Sequence, residues 1–231
     1  MTHKILTGLV FILISTFAAG QNKINSALKH ELDSIYQQDQ HLRELASSDL
    51  LQTKGDSIAD SYKIPKSELL NYIVRSIPVI DSLNLLRVDQ IIRQYGYPGL
   101  SLVGPRTNEA AFFVIQHSRK IDKYLPLIKK AADKKELNFR LYAMMLDRSL
   151  MYNGKEQIYG TQGMGINAVN AQTGAKEFRY IIWPIKDPAH VNERRKKAGF
   201  RATIEDYAKE ELGIDYKALS LEEVNDMKKQ N

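Results

Sequence analysis

Residues 137–162, LNFRLYAMMLDRSLMYNGKEQIYGTQ, contain the two patterns that decide the fold. Apolar residues recur at three- and four-residue spacing from Leu137 to Met151, which is typical of an amphipathic helix. Asn153-Gly154 is a strong turn signal, and the segment Glu156–Thr161 after it is typical of a short strand. This stretch therefore predicts a helix, a turn and a strand in direct succession.

A second strand is predicted from Glu177 to Trp183, where aromatic and β-branched residues are frequent. A loop around Gly163 and Gly165 separates the two strands, so they form an irregular hairpin near residues 156–183. This loop lacks the Gly-Lys-Ser/Thr sequence of a phosphate-binding loop. Helical periodicity covers most of the remaining chain. The sequence therefore predicts a mainly α fold, a multi-helix single domain with a small antiparallel β-hairpin.

The predicted helices outside residues 137–162 differ in length and in the clarity of their ends. Residues 24–53 predict one long helix, in which Asp39 lies on the apolar stripe between Ile35 and Leu42. Ser67–Arg75 predicts a short helix. Ser76-Ile77-Pro78 then predicts the start of a separate helix, because Ser is a favoured cap and Pro is tolerated in a first turn.

Three ionisable residues lie on apolar stripes of three separate helices: Asp39, His117 and Arg148. A buried arginine without a counter-charge is costly, so we expect Arg148 to pair with a carboxylate. The candidates for that carboxylate are Asp39, Asp147 and Glu109. A histidine beside a carboxylate can act as a general acid or base near neutral pH.

These positions predict a candidate site around the strand that ends in Tyr-Gly-Thr-Gln. The candidate catalytic residues are His117, Asp147 and Arg148. The candidate substrate-binding residues are Asp39, Tyr159, Thr161 and Gln162. Gly160 permits close approach of another backbone or of a ligand.

A structural interpretation of the same residues remains open. A lone histidine on an apolar face is commonly a core residue with one hydrogen bond. An arginine in the last turn of a helix interacts favourably with the negative end of the helix dipole. The group of polar residues can therefore join the helices to the hairpin without binding any ligand.

Several chemistries are disfavoured by the sequence. The chain has no cysteine, which excludes disulfides and thiol catalysis. It has no His-Glu-x-x-His motif, and His30 and His41 are eleven residues apart, which leaves His117 as the plausible nitrogen ligand for a metal. No Gly-x-Ser-x-Gly sequence of a serine hydrolase is present. We therefore predict neither a metal ion nor a cofactor.

The charge of the chain is mildly basic, with a formal net charge of +6. The densest basic cluster is Arg194-Arg195-Lys196-Lys197, which predicts either a contact with an anionic surface or, more simply, a solvated helix face. The excess is modest and no nucleic-acid-binding motif is present. We therefore predict an unknown small molecule or envelope component as the partner, and no nucleic acid.

Residues 1–20 predict a secretory signal peptide. Lys4 supplies the positive start, Ile5–Ala19 is largely apolar, and Ala18-Ala19-Gly20 offers small residues before a cut ahead of Gln21. This run is shorter than the roughly 20 apolar residues of a membrane span. The sequence therefore predicts a secreted or periplasmic protein whose mature domain is residues 21–231, with no transmembrane span in the mature chain. The alternative is that residues 1–20 remain as an uncleaved anchor.

A set of short motifs resembles a bacterial family that is known only as a domain of unknown function. The motifs are Asp39-Gln40 with Arg43, Gly96-Tyr97-Pro98, Gln116-His117, Asp147-Arg148, Tyr159-Gly160-Thr161-Gln162, and Asp187-Pro188 with Arg194 or Arg195. The resemblance covers most of the predicted mature chain, roughly from Asp39 to Tyr207. Tyr97 departs from the tryptophan expected at its position. The resemblance implies a helical fold and favours grouping His117 and Arg148 with the Tyr-Gly-Thr-Gln segment, but it implies no activity.

Two functions are compatible with these observations. The first is an exported hydrolase or lyase that acts on an anionic substrate, with His117 as acid or base and Arg148 holding the anionic group. The second is a non-catalytic ligand-binding or envelope-interaction module. Whether His117 and Arg148 lie together at an open cleft distinguishes the enzyme from the binding module.

Overall fold

The structure is a computed structural model that describes residues 23–46, 48–169 and 174–229. Over these residues the chain forms ten helices and one two-stranded antiparallel sheet, which confirms the mainly α class. The predicted signal peptide lies outside the described residues. The helices are α1 Ser26–Leu45, α2 Ser48–Tyr62, α3 Lys66–Tyr95, α4 Leu100–Val103, α5 Ala110–Gln116, α6 Ile121–Asp133, α7 Phe139–Tyr152, α8 Val191–Lys197, α9 Ile204–Leu212 and α10 Leu221–Lys229.

The largest core is formed by α1, α3, α5, α6 and α7. The α1 stripe is buried as its periodicity predicts, with Leu28, Leu32 and Ile35 at most 5% exposed. Phe112 and Ile115 of α5 are fully buried against it. Burial of each such side chain stabilises the fold by about 1.5–3 kcal/mol, so this core fixes the relative positions of α1, α5 and α7.

The single helix predicted for residues 24–53 is wrong. The chain leaves α1 after Leu45 and starts α2 at Ser48. This break lets α2 fold back on α3, where Ala59 packs with Leu69 and Ile73 in a second buried cluster. Tertiary burial of that face outweighs continuation of one helix into solvent.

The helix boundary predicted at Ser76 is also wrong, because α3 continues through Pro78. A proline inside a helix removes one hydrogen bond and costs about 3 kcal/mol. The buried residues Ile73 and Val88 lie on opposite sides of Pro78, so one continuous helix buries both. Their burial offsets the local cost at the proline.

The hairpin lies seven residues later than predicted at its first strand. Strand β1 is Gly163–Val169, and it pairs antiparallel with β2, Lys176–Ile182. The second strand agrees with the prediction within one residue at each end. The segment Glu156–Thr161 is not a strand; only Gln157 makes an isolated parallel bridge, with Ile185.

The glycine loop predicted between the strands is itself the first strand. A Cβ atom on Gly163 would lie 2.6 Å from the Tyr180 ring, and one on Gly165 would lie 2.5 Å from the Phe178 ring. The two aromatic rings of β2 therefore cover the glycines of β1. Cross-strand packing of this kind outweighs the low strand propensity of glycine.

A smaller cluster lies next to the hairpin and contains Ile182, Ile185 and Ile204. Trp183 is 3% exposed beside it, and its Nε1 donates a hydrogen bond to the Lys155 carbonyl at 2.7 Å. The Nζ atom of Lys228 lies 4.5 Å from the centre of the Trp183 ring. In the described part of the chain, no helix combines the length and apolar character needed to cross a membrane.

Candidate functional site

His117 and Asp39 are brought into direct contact. Asp39 lies on α1 and has no solvent exposure, and His117 lies immediately after α5 rather than within it. The Nδ1 atom of His117 is 3.0 Å from Asp39 Oδ2. A carboxylate oxygen accepts this hydrogen bond from Nδ1, which leaves Nε2 on the opposite edge of the ring. Among the described residues, Nε2 has no hydrogen-bond partner.

A second layer of polar side chains surrounds the Asp39 carboxylate. Gln40 Nε2 donates to Asp39 Oδ2 at 2.6 Å. Arg43, one helical turn along α1, donates from Nη1 to the Asp39 backbone carbonyl at 2.6 Å and from Nη2 to Asp81 of α3 at 2.7 Å. These contacts hold the carboxylate in one orientation and attach α1 to α3.

The geometry also tests whether a metal ion would fit here. Asp39, Asp81 and His117 each offer one ligand atom, and the three atoms lie within 4.8 Å of one another. Arg43 makes two hydrogen bonds to the Asp81 carboxylate, at 2.7 and 2.8 Å. The guanidinium therefore already supplies the positive charge that a cation would supply between the two carboxylates.

His117 lines a cleft of about 780 Å³, a size that is typical of small-molecule sites. Apolar atoms of α3 form part of its wall. Among the described residues, its charged lining has more basic than acidic members: Arg93, Arg119, Lys120 and Lys123 against Asp81 and Asp89. The cleft therefore favours an anionic occupant over a cationic one.

Asp89 has the most strongly shifted pKa among the groups that line this cleft. Lys123 Nζ and the Tyr124 hydroxyl each donate to its Oδ1 at 2.6 Å, and Arg93 contacts the other oxygen. The hydrogen bond from Lys123 is the largest cause that holds the pKa of Asp89 well below its usual range. Asp89 is therefore ionised throughout the physiological range and holds Lys123 in the cleft wall.

Asp147 lies in a different environment from Asp39. It is on α7, has no solvent exposure, and accepts hydrogen bonds from the backbone amides of Ile158, Tyr159 and Thr161 at 2.7–3.1 Å. The Thr161 hydroxyl donates to it at 3.0 Å. The sequence predicts Asp147 as catalytic, but its oxygens are occupied by this loop, which favours a role in holding the loop.

The same contacts explain why residues 156–161 are not a strand. The amides of Ile158, Tyr159 and Thr161 donate to Asp147 and are not available to a neighbouring strand. Gly160 has a φ of +70°, which also breaks an extended conformation. Burial raises the pKa of the Asp147 carboxyl, while the backbone amides act in the opposite direction.

Within the described residues, Arg148 does not make the predicted pairing with a carboxylate. Its Nε donates to the Gln162 side-chain oxygen at 3.0 Å, and its Nη1 donates to the Gln116 carbonyl at 3.1 Å. The expected partners Asp39, Asp147 and Glu109 are thus replaced by neutral oxygens. Gln116 directly precedes His117, so Arg148 connects the Tyr-Gly-Thr-Gln segment with the end of α5.

A family model, described as a family of unknown function (DUF6624), matches residues 36–217. The chain belongs to the DUF6624 family. The match encloses Asp39, His117, Asp147 and the Tyr-Gly-Thr-Gln segment, and it confirms the predicted membership of a domain-of-unknown-function family. Comparisons of this DUF6624 protein with curated proteins and with solved structures gave no match.

The remaining predicted residues of this DUF6624 protein are Tyr159, Thr161 and Gln162, in the segment that Arg148 connects to the end of α5. Tyr159 is half-buried beside Phe200, with ring centres 6.2 Å apart. Thr161 and Gln162 are buried, and Gln162 Nε2 donates to the Thr161 hydroxyl at 3.0 Å. The structure therefore places Asp39 with His117, and places Tyr159, Thr161 and Gln162 in a separate group around the Asp147 loop.

Sequence reasoning missed three residues that define the surroundings of these groups. Asp81 pairs with Arg43, and Gln157 is fully buried with its side-chain amide donating to the carbonyls of Gln162 and Trp183. Arg195 is 2% exposed, although its basic cluster predicts a solvated face. The presence of Arg194 or Arg195 in the family motifs was the available signal for the last of these.

Proposed function

We propose that this protein binds an anionic small molecule in the His117 cleft and that His117 transfers a proton during its hydrolysis or elimination. The observation that carries this proposal is the His117–Asp39 contact. Nδ1 of a partly exposed imidazole lies 3.0 Å from a fully buried carboxylate, and the same residue lines a cleft with excess positive charge. This arrangement leaves Nε2 as the proton acceptor.

The carboxylate has two effects on the imidazole. It fixes the tautomer with the proton on Nδ1, and it stabilises the positive charge that forms when Nε2 accepts a proton. Gln40 donates to the carboxylate, and Arg43 Nη1 lies 3.6 Å from Asp39 Oδ1, so both side chains restrict it in turn. Such positioning reduces the reorganisation needed when the proton moves.

The anionic group of the substrate is assigned to the basic wall of the cleft. Arg119 and Lys120 lie two and three residues after His117 in the chain, and both line the cleft. Arg148 was the sequence-based candidate for this role. Its two hydrogen bonds to Gln162 and Gln116 instead support a role in holding the segment that carries His117.

The decisive experiment replaces His117 by Gln and measures turnover of a panel of anionic chromogenic esters that includes p-nitrophenyl phosphate. We expect a rate decrease of about 10²–10⁴-fold, the usual contribution of a general acid or base. His30→Gln is the matched control, because His30 is exposed on α1. Equal turnover by the wild-type protein and His117→Gln would exclude the proposed chemistry.

A non-catalytic module is the second candidate, and one observation favours it. Five apolar side chains of α3 are 54–62% exposed: Leu70, Val74, Val79, Leu83 and Leu86. Exposed apolar surface of this kind is typical of interaction sites. Titration of inorganic pyrophosphate into the wild-type protein and into His117→Gln separates the candidates, because equal binding by both, with no turnover of any ester by the wild-type protein, supports the module.

We also propose that the protein is exported and cut before Gln21. The support is the residue pattern of positions 1–20, with Lys4 followed by a short apolar run and small residues. Mass spectrometry of the protein from a periplasmic fraction tests this. An intact Met1 in that fraction, or recovery of the protein only from the cytoplasm, would contradict it.

A further inference from the structure

Arg195 of α8 carries a positive charge in the interior of the fold. It is 2% exposed, and its contacts in the described chain are with neutral oxygens. Nε donates to the Ala202 carbonyl at 3.0 Å, and Nη1 donates to the Tyr159 carbonyl at 2.9 Å. A buried guanidinium without a contacting counter-charge is costly, so an anionic ligand that paired with it would recover part of that cost.

Two aromatic rings hold the guanidinium plane in place. The Arg195 Cζ atom lies 4.9 Å from the centre of the Phe200 ring and 5.2 Å from that of Tyr207. Together with the two carbonyl contacts, these rings leave little freedom to the side chain. Among the described residues, Nη2 has no hydrogen-bond acceptor. The group is therefore preorganised to bind an anion.

This guanidinium lines a second cleft, of about 700 Å³, which is distinct from the His117 cleft. Thr161 and Tyr207 contribute to its wall, and the Tyr207 hydroxyl donates to the Thr161 carbonyl at 3.1 Å. The volume lies within the range of small-molecule sites. It is large enough for an amino acid or a short peptide.

The other charged side chains that line this second cleft restrict the chemistry of its ligand. Arg140 and Arg201 lie there with Glu210 and Glu211, so two positive and two negative side chains compensate one another in the described structure. The buried Arg195 adds a single positive charge. A phosphate dianion would meet the two glutamates unfavourably, whereas one carboxylate matches one guanidinium.

We propose that the Arg195 cleft binds a small zwitterionic carboxylate, of the class of a free amino acid or a dipeptide. The carboxylate pairs with the Arg195 guanidinium, and the ammonium group lies towards Glu210 and Glu211. This site is independent of the proton transfer assigned to His117. Failure of either assignment leaves the other unchanged.

The test is calorimetric titration of glycylglycine, acetate and inorganic phosphate into the full mature chain. We expect glycylglycine to bind best and Arg195→Lys to weaken it at least tenfold. The double change Glu210→Gln and Glu211→Gln should weaken glycylglycine but not acetate. Arg179→Lys is the matched control, because Arg179 is an exposed arginine of β2 that does not line the cleft.

Three results would overturn this assignment: no glycylglycine binding by the wild-type protein, equal binding by a folded Arg195→Lys, or tighter binding of phosphate. If Arg195→Lys does not fold, amide chemical-shift mapping of the wild-type protein replaces it. Glycylglycine should then shift the amide signals of Phe200 and Ala202. Shifts confined to the neighbours of His117 would place the ligand in the other cleft.

Discussion

Asp39 and Asp147 are both completely buried, yet their surroundings differ in kind. The donors to Asp147 are backbone amides and one hydroxyl of a single loop, none of which titrates in the physiological range. The donors to Asp39 include the His117 imidazole, which reaches a cleft, and the Gln40 amide. Burial alone therefore does not separate a structural carboxylate from a functional one.

The chemical nature of the donors makes that separation. A carboxylate bound by backbone amides fixes the path of the chain, and its removal leaves several donors without an acceptor. A carboxylate bound by a titratable side chain at a cleft influences what that side chain can do with a proton. We therefore expect changes at Asp147 to affect stability first, and changes at Asp39 to affect turnover or binding first.

The largest expected effect is that of Asp147→Ala. It leaves the amides of Ile158, Tyr159 and Thr161 without an acceptor inside the fold, which should cost about 3–5 kcal/mol. The free energy of unfolding, measured in urea by circular dichroism, checks this. A loss below about 1 kcal/mol would remove the distinction between the two carboxylates.

Gly160→Ala tests the loop from the other side and should cost roughly 2–4 kcal/mol. The new methyl group would lie 2.6 Å from Ile204 Cδ1 and 2.7 Å from Ile185 Cδ1, at a φ of +70° that alanine disfavours. Gly154→Ala is the matched control, with a φ of +66° and nothing within 4 Å of the added atom. It should lose only about 1 kcal/mol. Similar urea midpoints for the two variants would contradict the close packing at Gly160.

Asp39→Asn should be the milder change for stability, at about 1–2 kcal/mol, because the amide keeps the shape and one oxygen acceptor. Its effect on turnover or ligand affinity should be about 10–100-fold, since the orientation of the His117 ring is lost. Parallel urea titrations and rate measurements of Asp39→Asn and Asp147→Asn check the contrast. Equal loss of stability in both variants, with no change in turnover or binding for Asp39→Asn, would break it.

Asp89→Asn gives the smallest effect and concerns pH. The lowered pKa of Asp89 means that its contribution to stability is present above the unfolded-state value of about 3.9 and is lost as the pH falls below it. Its cationic partners Lys123 and Arg93 are more than half exposed, so screening limits the contribution to about 1 kcal/mol or less.

Urea titrations at pH 6 and pH 3 measure this contribution. The wild-type protein should lose more stability between the two values than Asp89→Asn does. The raised pKa of Asp147 has the opposite effect on the pH dependence of stability. The fold favours its protonated form, so its contribution to stability decreases as the pH rises through that pKa. Equal pH dependence of wild type and Asp89→Asn would show that the Asp89 ion pairs are inactive in solution.

The helical scaffold was largely predictable from apolar spacing. The α1 stripe with Asp39, and α7 with Asp147 and Arg148, occur where periodicity places them. The two helix boundaries that failed, after Leu45 and at Ser76, were decided by packing of α2 and α3 rather than by local sequence. Local signals report propensity, whereas burial against a distant helix decides the outcome.

The site was predictable only in part, for a related reason. Polar residues on apolar stripes must find partners, which predicted that an acid, His117 and Arg148 come together. The specific contact of Asp39 with His117 was not predicted, because Asp39 was a candidate partner of Arg148. The partners of Arg148 did not follow, because backbone carbonyls carry no sequence signal. The first strand lies later than predicted because the side chain of Asp147, eleven residues from Ile158, accepts hydrogen bonds from the amides of that segment. Those amides are then not available for strand pairing, and no local sequence signal reports this contact.

Trp183 provides a built-in optical reporter of one part of this molecule. It is the only indole of the chain, it is almost fully enclosed, and the ammonium group of Lys228 lies over its ring. Its emission will therefore follow solvent entry at the hairpin and the carboxyl-terminal helix. A comparison of that fluorescence signal with far-ultraviolet ellipticity, which reports the helices as a whole, reveals whether the hairpin region unfolds together with the helices or separately.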